Sequence, residues 1–211
     1  MQPAIAYAGS LIGINNGIHG AVTDDLKTQL QGLNLYLIGM MGAGKTTVGQ
    51  VLAQQLGYQF FDTDAVIEQL AGQPITDLFA ELGEADFREL ETRVLSELSA
   101  YTRLAIATGG GIVTQQMNWS YLRNGLIVWL DVPLAQLQAR LQADTTRPLL
   151  QQGDLAERLQ TLLAQRRSLY AQADLHIEAG GTESPEQIAN RILTLIPTVL
   201  KPAVEPPDYG N

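Results

Sequence analysis

Cysteine is absent from this 211-residue sequence. That excludes disulfides, thiolate nucleophiles and cysteine-based zinc sites, and it suits a reducing cytoplasm. Histidine occurs only at His19 and His176, outside every motif described below, and both are expected to be structural. Lysine is confined to positions 27, 45 and 201. Positive charge is short overall: 13 Lys and Arg stand against 22 Asp and Glu, a net charge of −9. A general nucleic-acid binder carries a basic face, so no nucleic-acid partner is expected. An anionic ligand would have to be held by a local cluster of positive side chains inside an acidic molecule. Nor does any stretch reach the roughly 20 apolar residues that span a bilayer, so no membrane partner is expected. Residues 1–23 carry no charged side chain, so the apolar run over 4–14 lacks the preceding Lys or Arg of a secretory signal, and the segment lacks the arginines of a transit peptide. A cytoplasmic protein is the expectation.

What is present is ordinary for a chain that buries a core: 45% hydrophobic and 17% charged residues, at a length that fits one domain. Residues 1–31 read as a flexible or loosely docked extension with a short helix over 23–31, and 198–211 as a loose Pro-rich tail. Between them, over 32–197, short apolar runs alternate with amphipathic stretches. Strands are predicted at 33–38, 58–61, 104–108, 126–130 and 175–178. Helices are predicted at 45–56, 64–70, 76–100 with a break near Gly83, 133–142, 154–171 and 184–196. Ser184, Pro185 and Gln187 suggest a capping box for the last of these. Residues 143–153 are polar and punctuated by Pro148 and Gly153. Five strands separated by helices imply an α/β fold: a parallel sheet with helices on both faces and ligands at the carboxyl ends of its strands.

Gly39-Met40-Met41-Gly42-Ala43-Gly44-Lys45-Thr46 fits the pattern G-x-x-x-x-G-K-[ST] and lies between a predicted strand and helix. Its glycines let successive backbone N–H groups turn inward on phosphate oxygens, and the following helix adds its positive end. Lys45 supplies an ammonium for the β- and γ-phosphates, and the Thr46 hydroxyl can ligate Mg²⁺. Gly42, Ala43, Gly44, Lys45, Thr46 and Thr47 are the expected ATP-binding residues. The pattern points to a nucleoside triphosphate without choosing a reaction.

Asp62 and Asp64 end the second strand with one residue between them, and extended backbone sends alternate side chains to one face. One carboxylate could serve a magnesium shell and the other accept a proton; a pair of solvated strand-end aspartates is the competing reading. Gly109-Gly110-Gly111 follows the third strand and suggests close backbone approach to a ligand, or a plain flexible loop. Arg88, Arg140, Arg147, Arg166 and Arg167 are the remaining cationic candidates, because arginine pairs bidentately with carboxylate and phosphate.

Together the phosphate loop, Phe61-Asp62-Thr63-Asp64, Phe87-Arg88, the triple glycine, Arg147-Pro148-Leu149-Leu150 and Arg166-Arg167-Ser168-Leu169-Tyr170 resemble the shikimate kinase family. The resemblance covers about residues 32–197, in the family's order and spacing. It implies a three-layer P-loop kinase of the nucleoside-monophosphate-kinase type, with strand order 2-3-1-4-5. It also implies Mg²⁺-dependent transfer of the ATP γ-phosphoryl to the 3-hydroxyl of shikimate, on the route to chorismate and the aromatic amino acids. By the same resemblance Asp64 binds the shikimate hydroxyls and accepts the proton, and Asp62 lies near the metal. Arg88 and Arg166 grip the substrate carboxylate, and Gly110 contacts a hydroxyl through its backbone. Arg147, in a lid near 143–153, reaches the ATP phosphates, and Arg140 lies near adenine. Phe79 and Phe87 resemble apolar walls of the substrate pocket. A monomer is expected. The alternatives are a gluconate kinase, an adenylate kinase, and a nucleotide-dependent regulatory module without turnover.

Overall fold

The computed structural model describes residues 24–142 and 154–200. Helix α1 (Asp24–Leu30) precedes strand β1 (Leu35–Ile38), and α2 (Lys45–Leu56) leads to β2 (Gln59–Asp62). Then come α3 (Thr63–Ala71), α4 (Ile75–Ser99), β3 (Leu104–Ala107), a 3₁₀ turn (Ile112–Thr114) and α5 (Gln116–Leu122). The chain continues through β4 (Leu126–Asp131), α6 (Leu134–Leu141), α7 (Leu155–Tyr170), β5 (Leu175–Glu178) and α8 (Pro185–Val199).

All strand pairs are parallel, and the order is β2-β3-β1-β4-β5. β1 and β3 are buried at every position, as their unbroken apolar runs require when helices cover both faces. β5, at the edge, instead alternates buried Leu175 and Ile177 with exposed His176 and Glu178. Helices α2 and α8 pack together over one side, while α4 and α7 both pack against the 3₁₀ turn that follows β3. α8 opens with the expected capping box: Gln187 N–H donates to Ser184 Oγ, and Ser184 N–H donates to Gln187 Oε1. The break expected near Gly83 is a single residue at φ 77° inside α4.

The short helix expected over 23–31 forms as α1 (Asp24–Leu30), and it is packed rather than loosely docked. Leu26 and Leu30 of α1 are buried in the main core, so the compact unit begins before residue 32. The 3₁₀ turn and α5 have no counterpart in the sequence reading. The turn is three residues long and α5 seven, too short for a helical period to show in the sequence. Asn118 and Trp119 are buried because Nδ2 of the former donates to Ile112 O and Nε1 of the latter to Val113 O. At the far end α8 continues past residue 196 to Val199, with Pro197 in its last turn. The remaining residues, including His19, Arg147 and the lid expected near 143–153, lie outside the described ones.

Candidate active site

The carboxyl ends of β1, β2 and β3 converge on one mouth, and each delivers a short functional segment there. After β1 the chain turns through the phosphate loop into α2. Gly39 has φ 138°, and a Cβ there would stand 2.5 Å from the Leu130 carbonyl oxygen of the neighbouring strand. Gly44, at φ 91°, is the residue from which α2 starts, and no side chain caps that end. The first amides of α2 are thus left for a ligand rather than for the chain itself. Lys45 folds back over the loop: its Nζ donates to Gly39 O at 2.9 Å and Met40 O at 2.8 Å, and the residue is buried. Arg140, in the last turn of α6, donates from Nη1 to Gly42 O at 3.0 Å. The expected nucleotide residues Gly42, Ala43, Gly44, Lys45, Thr46, Thr47 and Arg140 therefore line one cavity of about 390 Å³. Glu183, Pro185 and Ile188, from the start of α8 and the loop before it, complete its wall. From the sequence Pro185 is only a helix start, because nothing local places that helix beside the phosphate loop.

The two aspartates face this same cavity, though not by strand alternation. β2 ends at Asp62, and Asp64 already lies in the first turn of α3. Asp62 is the N-cap of that helix, accepting from the Asp64 backbone N–H at 3.0 Å through Oδ1. Its other oxygen accepts from Thr46 Oγ1 at 2.6 Å. A hydroxyl and a carboxylate oxygen in contact beside a phosphate-binding loop form a hard-oxygen pair of the kind that suits Mg²⁺, which takes few protein ligands and keeps the substrate's phosphate oxygens. Among the described residues no group of three or more His, Cys, Asp or Glu is placed to hold a metal ion by itself.

A second, smaller cavity of about 60 Å³ opens off the first and shares Met41, Asp64 and Gly110 with it. Phe79 and Phe87 form one wall with ring centroids 5.4 Å apart, as expected for apolar walls, and Arg88 lies beside them. The triple glycine makes room for the protein's own side chains. A Cβ at Gly109 would come 2.5 Å from Glu91 Oε1 and 2.8 Å from Asp64 Oδ1, and one at Gly111 would overlap the Arg88 guanidinium. The close approach expected from the sequence is to a ligand; at Gly109 and Gly111 the groups that come close are the side chains of Asp64, Glu91 and Arg88. The turn is held in place by Gly109 N–H, which donates to the buried Thr63 Oγ1 at 2.9 Å.

Arg88 and Arg166 reach this turn from α4 and α7, and both are buried. Arg166 Nη1 donates to Gly110 O at 3.1 Å, an oxygen that also accepts from Tyr170 Oη at 2.7 Å. Arg88 donates to Glu91 from Nη1 and to Glu84 from Nη2 at 3.1 Å. Burial opposes its charge, but Glu91 and Glu84 outweigh that and hold its pKa above the usual arginine value. Glu91 was missed by sequence reasoning, although the spacing of three from Arg88 on one helix face was visible. Its pKa is raised, first by burial and further by Asp64, against the opposing pull of Arg88 and Arg166. Tyr170 is likewise pushed up by burial.

The family model for shikimate kinase matches residues 41–197. The chain belongs to the shikimate kinase family. A shikimate kinase of Trichormus variabilis is 61% identical over 83% of this chain and 97% of its own length. One from Thermosynechococcus vestitus is 55% identical over 84% of this chain and 97% of its own. Among solved structures, shikimate kinase from Acinetobacter baumannii in complex with shikimate superposes with a TM-score of 0.78 at 40% identity, over 82% of this chain and 97% of that one. A gluconokinase from Sinorhizobium meliloti gives a TM-score of 0.52 at 16% identity, a likeness of fold alone. The P-loop kinase fold with sheet order 2-3-1-4-5 stands.

Proposed function

We propose that the two joined cavities bind ATP and shikimate and bring the γ-phosphoryl group to the 3-hydroxyl of shikimate. The observation that carries this is their meeting at Asp64 and Gly110, with phosphate-loop residues on one side and buried arginines beside the other. The loop amides of 42–47 and Lys45 receive the phosphates, and Arg140 and Pro185 lie where the nucleotide base would rest. Arg147 joins the phosphates by its family motif alone. Thr46 and Asp62 would hold Mg²⁺, which when bound offsets phosphate charge.

On the acceptor side Arg88 and Arg166 pair with the substrate carboxylate. Arg88 uses two of its N–H donors on Glu91 and Glu84 and, with five in all, keeps others for a ligand. Asp64 and the Gly110 backbone hold the hydroxyls. As the 3-hydroxyl oxygen bonds to the γ-phosphorus, the bond to the bridging oxygen of ADP breaks, and Asp64 takes the hydroxyl proton. Such a transition state asks mainly for positioning and charge stabilisation, which fixed arginines and inward amides supply without reorganisation.

The reading includes a monomer in the cytoplasm, without nucleic-acid or membrane partners. The net charge of −9 speaks against a nucleic-acid partner, and among the described residues no helix is long and apolar enough to cross a membrane. The test is an ADP-release assay with Mg²⁺ and ATP, run with shikimate, with gluconate and with no acceptor. Release that depends on shikimate is expected; release with gluconate, or none with either, overturns the proposal.

A further inference from the structure

A cluster at the edge of the sheet is used by none of these steps. Trp129 of β4 and His176 of β5 are register partners, and their rings stack at 4.1 Å with an interplanar angle of 8°. Two positions beyond Trp129, on the same strand face, stands Asp131, which is only 13% exposed. One of its oxygens, Oδ2, accepts from Arg167 Nη2 at 3.2 Å and lies 3.0 Å from His176 Nε2. The Arg167 guanidinium also sits 5.5 Å from the Trp129 ring centroid, and Tyr170 stacks on that ring at 5.9 Å. None of Trp129, Asp131, Arg167 and His176 lines either cavity.

Arg166 and Arg167 are consecutive on α7, so their side chains leave the helix about 100° apart. The same turn therefore sends Arg166 inward to the Gly110 carbonyl and Arg167 outward to the sheet edge. Their exposure reflects this: Arg166 is 4% exposed and Arg167 57%. Tyr170, one turn on, links the two sides, stacking on Trp129 and donating to Gly110 O. An ion pair, a cation–π contact and a ring stack thus fix both the rotation and the height of the turn that carries Arg166.

We infer that Asp131, acting through Arg167, is a positioning residue that sets Arg166 for the substrate carboxylate. This rests on the reading of Arg166 given above. Because Arg167 is largely exposed, the pair adds little to folding. Its effect lies in where the inner guanidinium stands, and a small misplacement costs binding before it costs stability. Nucleotide binding, on the phosphate-loop side, is left unchanged.

The test measures steady-state kinetics of Asp131→Asn, Arg167→Gln, the double variant and Arg167→Lys, with Arg166→Lys as reference. Each of the first two should raise the shikimate KM about three- to tenfold, with kcat and the ATP KM within about twofold. The double variant should be no worse than the poorer single one, because both remove one interaction. Arg167→Lys, which keeps the charge, should recover part of the loss. Singles that leave the shikimate KM unchanged while Arg166→Lys raises it overturn the inference alone. Additive losses, or parallel changes in kcat and the ATP KM, also overturn it, since they mark a general loosening. An unchanged shikimate KM in Arg166→Lys instead overturns the reading of Arg166, and the inference falls with it.

Discussion

Arg88 and Arg166 arrive at the glycine turn with different amounts of their hydrogen-bonding capacity engaged. Arg88 is fixed by two carboxylates, Arg166 by the Gly110 carbonyl and the Tyr170 hydroxyl. Arg88→Lys keeps the charge but loses the planar fork, so the shikimate KM should rise by roughly 10- to 150-fold with the ATP KM nearly unchanged, the loss of one charge-assisted hydrogen bond. A shift in the ATP constant instead would place Arg88 on the nucleotide side. Asp64→Asn retains size and some hydrogen bonding but cannot take a proton, and kcat should fall by about 10²–10⁴-fold. Separate measurement of kcat and shikimate affinity distinguishes a lost base from a misplaced hydroxyl. Glu91 makes a prediction about pH. Its folded pKa lies above the ordinary value of 4.5, so ionising it opposes folding. Its contribution to stability is full below that value and is lost as pH rises through the folded one. Urea melts should therefore show the stability advantage of the parent over Glu91→Gln shrinking as pH rises from about 4.5 towards neutrality. An advantage that grows with pH would mean that Arg88 overcomes the cost of burial.

Not every element holds the site. α1 contributes no residue to either cavity, yet it buries Leu26 and Leu30. Deleting residues 1–23 should leave both melting temperature and kcat close to those of the full chain. Deleting 1–31 removes two buried leucines, each worth about 1.5–3 kcal/mol, and should lower stability by at most about 3–6 kcal/mol. Calorimetry of the two truncations separates the outcomes, and equal melting temperatures would show that α1 packs without stabilising. α3 has a different task. Its N-cap is Asp62, so the residue that would serve the metal also starts the helix that carries Asp64. A change at position 62 should therefore raise the Mg²⁺ requirement and disturb the placement of Asp64 together.

The sheet acts as one platform: β1, β2 and β3 end side by side, and the two cavities lie over those ends. Because the site exists only in the folded chain, ligand binding should stabilise the fold by mass action. Mg²⁺ and ATP at about one hundred times their dissociation constant should add about 2.7 kcal/mol, a rise of roughly 5–10 °C for a domain of this size. Lys45→Met should remove most of that rise in a thermal-shift experiment. If the rise survives, the lysine is only a loop cap, bonded as it is to Gly39 and Met40.

Much of this was local and so was readable along the chain. The phosphate loop depends on glycines and a lysine within eight consecutive residues, and α2 runs over the predicted 45–56 because Gly44 starts it and Gly57 stops it. The Ser184 box and the break at Gly83 are likewise written in neighbouring residues. What depends on packing was not readable. Asp62 and Asp64 face one cavity through a helix cap, where strand alternation was expected. The triple glycine spares space for Glu91, Asp64 and Arg88, whose nearness is decided by how α3 and α4 pack. Asp131 and Arg167 are 36 positions apart, and only the fold, which brings the last turn of α7 beside the end of β4, joins them. Short-range backbone and capping preferences are properties of a segment. The close approach of distant side chains is a property of the folded core, where burial fixes which carboxylate meets which guanidinium.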